Sequence, residues 1–345
     1  MGEEKRADSR MTRRRALRAV AAVAGLPLMM AGVRALAPGA QAHTWRGEVL
    51  GAPAELALWH SDGAFAQRTI LKVRSELVRL ERIFSLYRPD SEIARLNRDG
   101  QLLEPSRELR ALVEQSQRIG ELSGGAFDIS VQPLWRLYEA HFWSHAEIQP
   151  DIAARARDIS QARVDFRRID SGVASIAFAR PHMAITLNSI AQGYITDRVA
   201  GMLRNEGYES AVVDMGEVCT IGRHPDGRPW RLGIRNAKQP GAVERSVELE
   251  DLALAVSGGY GTTFDSTGRF HHIFDPRTGA SANTVLDVAV IGPSAAVANA
   301  IATALCAGGE ALAPALLAAH PNTRAIVTHL DGSSVTLSAN RSAGA

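Results

Sequence analysis

One mixed α+β domain is the predicted fold, on three observations. Strand-like and helix-like hydrophobic patterns alternate along the 345 residues. No repeat or low-complexity linker divides them, so the elements read as one unit rather than two domains. Hydrophobic residues at 46% and charged residues at 22% are ordinary for a soluble globular chain, which can then bury a sizeable core.

The N-terminus stands apart from that unit. Residues 1–42 carry eight Lys/Arg and three acidic residues, and the remainder holds 31 basic against 34 acidic residues. The overall +2 charge therefore comes from the leader, and the near-neutral body excludes a nucleic-acid partner on electrostatic grounds. Thr12-Arg13-Arg14-Arg15 precedes an apolar run from Ala19 to Val33, and Ala40-Gln41-Ala42 offers a small-x-small cleavage site. Basic start, short apolar run and small-residue site together predict a secretory signal. The paired arginines resemble a twin-arginine signal, which exports folded proteins. The expected division is residues 1–42 as signal and 43–345 as the working domain, located in the periplasm. An uncleaved membrane anchor is the alternative. Cys219 and Cys306 form no CxxC, and either a disulfide or two buried thiols fits them.

Ala54–Trp59 has strand character. Val73, Leu77, Leu80 and Phe84 mark one helix face, and a turn at Arg88-Pro89-Asp90 leads to a short helix near Ser91–Leu96. The next helix takes Ser106 as N-cap, buries Leu109, Leu112, Val113, Ile119 and Leu122, and stops at Gly124. Further strands are predicted around 172–179, 183–187, 211–215, 230–235, 286–291 and 324–330, and helices at 190–205, 294–306 and 309–319.

Five segments interrupt these patterns with glycine or polar side chains, as close approach of a ligand requires. The segment from Phe84 to Asn97 also reads as a capped helix–turn–helix. Gly124-Gly125-Ala126-Phe127-Asp128 brings flexible backbone and a ring for stacking, though a C-cap explains the glycines as well. Thr186-Leu187-Asn188-Ser189-Ile190-Ala191-Gln192-Gly193-Tyr194 joins a strand to a helix whose first N–H groups could hold a phosphate. Ser257-Gly258-Gly259-Tyr260 precedes His271-His272-Ile273-Phe274-Asp275-Pro276-Arg277-Thr278-Gly279, which offers a general acid/base or a turn held by Asp275. The HHxxD pattern also raises zinc, but no third ligand has recognised spacing. Asn299 and Thr303 share one face of an apolar helix and require polar partners there, an ion or another helix.

Taken in order, these segments resemble the ApbE family of FAD:protein FMN transferases over roughly residues 48–330. The carrying motifs are SxYRPDSEIARLN at 85–97, GGAFD at 124–128, DMG at 214–216, SG at 257–258 and HHIFDPRTG at 271–279. The resemblance implies an ApbE-like (T-fold-like) α+β fold that binds FAD. It implies cleavage of the FAD pyrophosphate with Mg2+, release of AMP, and attachment of FMN to a Ser or Thr of a membrane redox-complex subunit. It places flavin contacts at Leu50, Ala126, Phe127, Asp128, Thr186, Gln192 and Ile273. It gives magnesium to the Ser189 carbonyl, Asn299 and Thr303, and makes His272 the base.

The chain departs from the family pattern at several of these positions. Leu50-Gly51-Ala52 stands for Met-Gly-Thr, Thr186 for Asp, Ser189 for Gly, Gln192 for Lys, Glu217 for Gly and Asn299 for Asp. Asn can ligate through its carbonyl but brings no charge, and the missing Lys removes a phosphate partner. Such departures resemble a specialised branch, such as the members associated with nitrous oxide respiration. They also leave a rival function, a non-catalytic FAD carrier with a decayed metal site.

Overall fold

The computed structural model describes residues 40–145, 151–236 and 243–339. The expected signal therefore lies almost wholly outside the described residues. In chain order the elements are β1 (Gln41–Val49), β2 (Ala52–His60), α1 (Gly63–Phe84), α2 (Glu92–Asp99), β3 (Gln101–Leu103), α3 (Arg107–Leu122), α4 (Gln132–His145) and α5 (Ala154–Gln161). There follow β4 (Ile169–Ser171), β5 (Ser175–Phe178), α6 (Asn188–Asn205), β6 (Ser210–Asp214), β7 (Val218–Gly222), β8 (Trp230–Arg235) and β9 (Val243–Leu249). The chain continues with β10 (Ala253–Gly258), β11 (Phe274–Asp275), β12 (Ala280–Ser281), β13 (Asp287–Gly292), α7 (Ala295–Gly308), α8 (Ala313–Ala318), β14 (Arg324–Thr328) and β15 (Ser334–Ser338).

Eight strands form one antiparallel sheet in the order β1-β2-β6-β7-β10-β13-β14-β15. Its two faces follow from the period of two along each strand. Leu56 and Leu58 of β2, Val213 of β6, Ala255 of β10, and Val288 and Val290 of β13 join the larger core, with Leu77 and Leu80 of α1, Val199 of α6 and Ile301 of α7. Their neighbours Ala57, Trp59, Val212, Leu254, Val256, Ala289 and Ile291 face the other way, onto Trp230, Leu232 and Leu249 of the β8–β9 hairpin. Both faces are buried, so these strands read as apolar runs rather than as clean alternation.

Helix ends are set by side chains the sequence supplies. Asp62, Ser91, Ser106 and Ser294 each accept a hydrogen bond from the third residue on, at the starts of α1, α2, α3 and α7. The start of α7 is held further by Asp197 of α6, whose carboxylate accepts from Ser294 Oγ, Ala295 N and Ala296 N at 2.7, 2.7 and 3.0 Å. Gly193 makes this pairing close, because a Cβ there would run into the backbone of Ala295 and Ala296. Gly193→Ala is therefore expected to cost about 1–3 kcal/mol and to lower the melting temperature in a thermal scan.

Three expectations need correction. Residues 183–187 form no strand; Asn97 satisfies the backbone of Ile185 on both sides, Nδ2 donating to its carbonyl at 2.8 Å and Oδ1 accepting from its N–H at 2.7 Å. The helix expected at 309–319 is a 3-10 turn, Glu310–Leu312, and then α8, with a proline in its first turn. Leu122 is exposed rather than part of the buried face of α3.

Candidate active site

A cleft of about 620 Å3 opens where α2, the turn after α3, the start of α6, the β11 segment and α7 converge. That volume suits a ligand of cofactor size. Leu50, Ala126, Phe127, Asp128, Thr186, Ser189, Gln192, His272, Ile273, Asn299 and Thr303 all line it, although they come from separate stretches of chain.

One end is apolar. Leu50 sits in the β1–β2 turn at φ +50°, a left-handed conformation unfavourable for leucine, and its N–H donates to Glu81 Oε1 at 3.2 Å. Ala126, Phe127 and Ile273, also in the lining, are buried. The Asp128 carboxylate accepts from Ser130 N, Ser130 Oγ and Phe166 N at 2.7, 2.6 and 3.0 Å. Burial nonetheless pushes its pKa up to about 6. Thr186 follows directly on Ile185, so the Asn97 clamp fixes its approach to the cleft.

The other end is rich in oxygen. Asn299 and Thr303 project from successive turns of α7. Thr303 Oγ1 lies 3.2 Å from Ser257 Oγ at the end of β10. Asn299 is 2% exposed, its Nδ2 donates to Glu217 Oε1, and its Oδ1 is buried with no hydrogen-bond partner. A buried carbonyl oxygen left unmatched is costly unless something fills the position before it. Ser189 and Gln192 line the cleft from α6. Gly216, at φ +104°, lets the turn between β6 and β7 pass the Gln192 amide, which any Cβ would strike. Glu217 is buried behind Asn299; Thr196 Oγ1 donates to its backbone carbonyl at 2.8 Å, and burial, with Asp214 beside it, raises its side chain well above the usual carboxylate range.

His272 also lines the cleft. Its Nδ1 lies 3.1 Å from the Thr262 carbonyl, and its own N–H donates to the same oxygen at 3.1 Å. A carbonyl can only accept, so Nδ1 carries the proton and Nε2 is left as the basic nitrogen. Burial, reinforced by His271, lowers its pKa to about 4, which keeps the ring neutral near pH 7. Trp135 packs edge-on to the ring at 6.5 Å.

Asp275 does not orient His272. It is bound to Arg277 at 2.8 Å and its carbonyl accepts from Gly279 N at 2.8 Å, which closes the β11–β12 turn. The zinc alternative has no support: among the described residues no three His, Cys, Asp or Glu are grouped to hold a metal. Cys219 and Cys306 are separate buried thiols, pushed up by burial to about 11 and about 12. Trp135 and Arg136 of α4 also line the cleft and were missed from the sequence. The spacing of Val131, Trp135, Tyr138 and Phe142 is the signal that would have found that helix.

A family model described as the ApbE family matches residues 50–327. The chain belongs to the ApbE family. Among curated ApbE relatives, the FAD:protein FMN transferase of Vibrio cholerae is 33% identical over 211 residues, 58% of this chain and 60% of that protein. The one from Treponema pallidum is 31% identical over 242 residues, 64% of this chain and 65% of that protein. The aligned part thus spans less than two thirds of either relative. Among solved structures, the flavin transferase ApbE from Vibrio cholerae superimposes with a TM-score of 0.74 at 28% identity, covering 87% of this chain and 98% of that one. The apo flavinyl transferase ApbE of Pseudomonas stutzeri gives 0.71 at 26% identity, covering 87% and 94%. Gln192 and Asn299 line the cleft, with Glu217 bonded to Asn299 and the adjoining Gly216 packed on the Gln192 side chain.

Proposed function

We propose that the chain is a FAD:protein FMN transferase that uses Mg2+ and modifies a Ser or Thr of a membrane redox-complex subunit. The observation that carries this reading is a single cleft lined by both His272 and the Asn299–Thr303 pair. The names of the ApbE relatives support it.

Leu50, Phe127 and Ile273 would bury the isoalloxazine ring, and Gln192 with the first turn of α6 would meet the pyrophosphate. His272 Nε2 would take the proton of the acceptor hydroxyl as its oxygen attacks the FMN phosphorus. The bond from that phosphorus to the bridging oxygen breaks, and AMP leaves with that oxygen. The products are the FMN phosphodiester of the acceptor and AMP, so atoms and charge balance without a further reactant.

The donor set fits magnesium, a hard cation that takes oxygen ligands. The unpartnered Asn299 Oδ1 is the observation that supports the fit, with the Thr303 hydroxyl and the Ser189 carbonyl as further ligands. When bound, Mg2+ supplies charge neutralisation on the phosphates.

The periplasm is the proposed location, supported by the arginine pair and apolar run of residues 12–33. Among the described residues no helix is long and apolar enough to cross a membrane.

The test is AMP release from FAD, followed chromatographically with and without Mg2+ and an acceptor peptide. Release that needs both supports the transferase. Bound FAD with no AMP under those conditions leaves a flavin carrier. The pH dependence follows from His272. Its pKa is depressed, so the basic form persists as pH falls below 6.5 and is lost only toward about 4. The acid limb due to His272 in kcat/KM is therefore expected well below 6.5; a limb at 6.5 that disappears in His272→Gln would contradict the buried neutral ring.

A further inference from the structure

We infer that Glu217 is a positioning residue for the metal ligand: it fixes the Asn299 amide so that the carbonyl oxygen, and not the NH2, faces the cleft. The inference rests on the transferase reading above and extends it to a residue that does not itself line the cleft.

A primary amide has one donor end and one acceptor end on nearly the same shape. Whichever end is held from behind decides which end is offered in front. Here Nδ2 donates to Glu217 Oε1, and Oδ1 is the end left without a partner. A cation binds the carbonyl and is repelled by the NH2, so an unheld amide would present the wrong end part of the time. Aspartate at the same position needs no such partner, because its two oxygens are equivalent. The position of Glu217 is itself well fixed. Thr196 Oγ1 holds its carbonyl at 2.8 Å, Met215 N donates to the same carbonyl at 3.2 Å, and the preceding Gly216 N–H is tied to Asp214 Oδ1 at 3.0 Å. The residue is 2% exposed, so water does not compete for the contact. Outer partners that orient a ligand typically change metal affinity by about 10–100-fold.

The test is a titration of Mn2+, an oxygen-preferring substitute for Mg2+, into the full chain saturated with FAD, with free Mn2+ read by EPR. Four proteins are compared: wild type, E217M, N299D and N299D/E217M. Methionine keeps the volume and removes the acceptor. The expected result is at least a tenfold weaker Kd for E217M against wild type, and no weakening for N299D/E217M against N299D. Equal weakening in both backgrounds would mean that Glu217 only supports the fold, and unchanged affinity in E217M would also overturn the inference. A wild-type chain that binds no Mn2+ overturns the metal reading along with it, which separates the two failures. Should E217M not fold, E217L replaces it; at least a tenfold weaker Kd is again expected, and wild-type affinity in E217L overturns the inference.

Discussion

His272→Ala is expected to slow FMN attachment by roughly 10²–10⁴-fold, the usual worth of a positioned general base, while FAD still binds. The split follows from where the ring sits. Nδ1 is committed to Thr262, so the ring's one free function is the basic Nε2. The buried contacts of Leu50, Phe127 and Ile273 do not depend on it. Fluorescence quenching of FAD checks binding, and single-turnover transfer to an acceptor peptide checks rate. A proportionate loss of both would mean that His272 holds the cleft together rather than acting as a base.

Asn299→Leu is expected to act on two properties at once. It removes the unpartnered oxygen proposed as a ligand, so Mn2+ affinity should fall by more than the roughly 10–100-fold that losing an outer partner costs. It also removes the donor to Glu217 Oε1, leaving that carboxyl only the Val256 N–H. A buried acceptor left unsatisfied costs about 1–3 kcal/mol, which for a domain of this size shifts the melting temperature by about 2–4 °C per kcal/mol. A variant that keeps wild-type metal affinity would remove Asn299 from the site.

The elements readable in the sequence were those with a strong period and a clear start. α1 carries Val73, Leu77 and Leu80 on one face, and α3 starts at Ser106 as its cap predicts. Residues 183–187 look like a strand because Met183, Ala184, Ile185 and Leu187 are apolar and buried, yet the backbone partner of Ile185 is a side chain 88 positions away. No local pattern encodes that. α4 keeps a helical spacing at Trp135, Tyr138 and Phe142, but these rings pack on Phe264, Phe270 and Phe274 rather than on the main core, so no aliphatic stripe toward that core marks it. The cleft residues came from motif resemblance, and the structure brings them to one place. Glu217 stood in the sequence only as a departure from a glycine. Its contact with Asn299 joins positions 82 apart and needed the fold to be seen.

Mass spectrometry of an acceptor peptide tests covalent transfer most directly. The chain, FAD and Mg2+ are incubated with a peptide that carries one candidate Ser or Thr, beside a peptide in which that residue is alanine. A mass increase of one FMN phosphodiester on the first peptide alone, matched by AMP, is the predicted result. An unmodified peptide in the presence of bound FAD, with an acceptor that another transferase modifies, would contradict it.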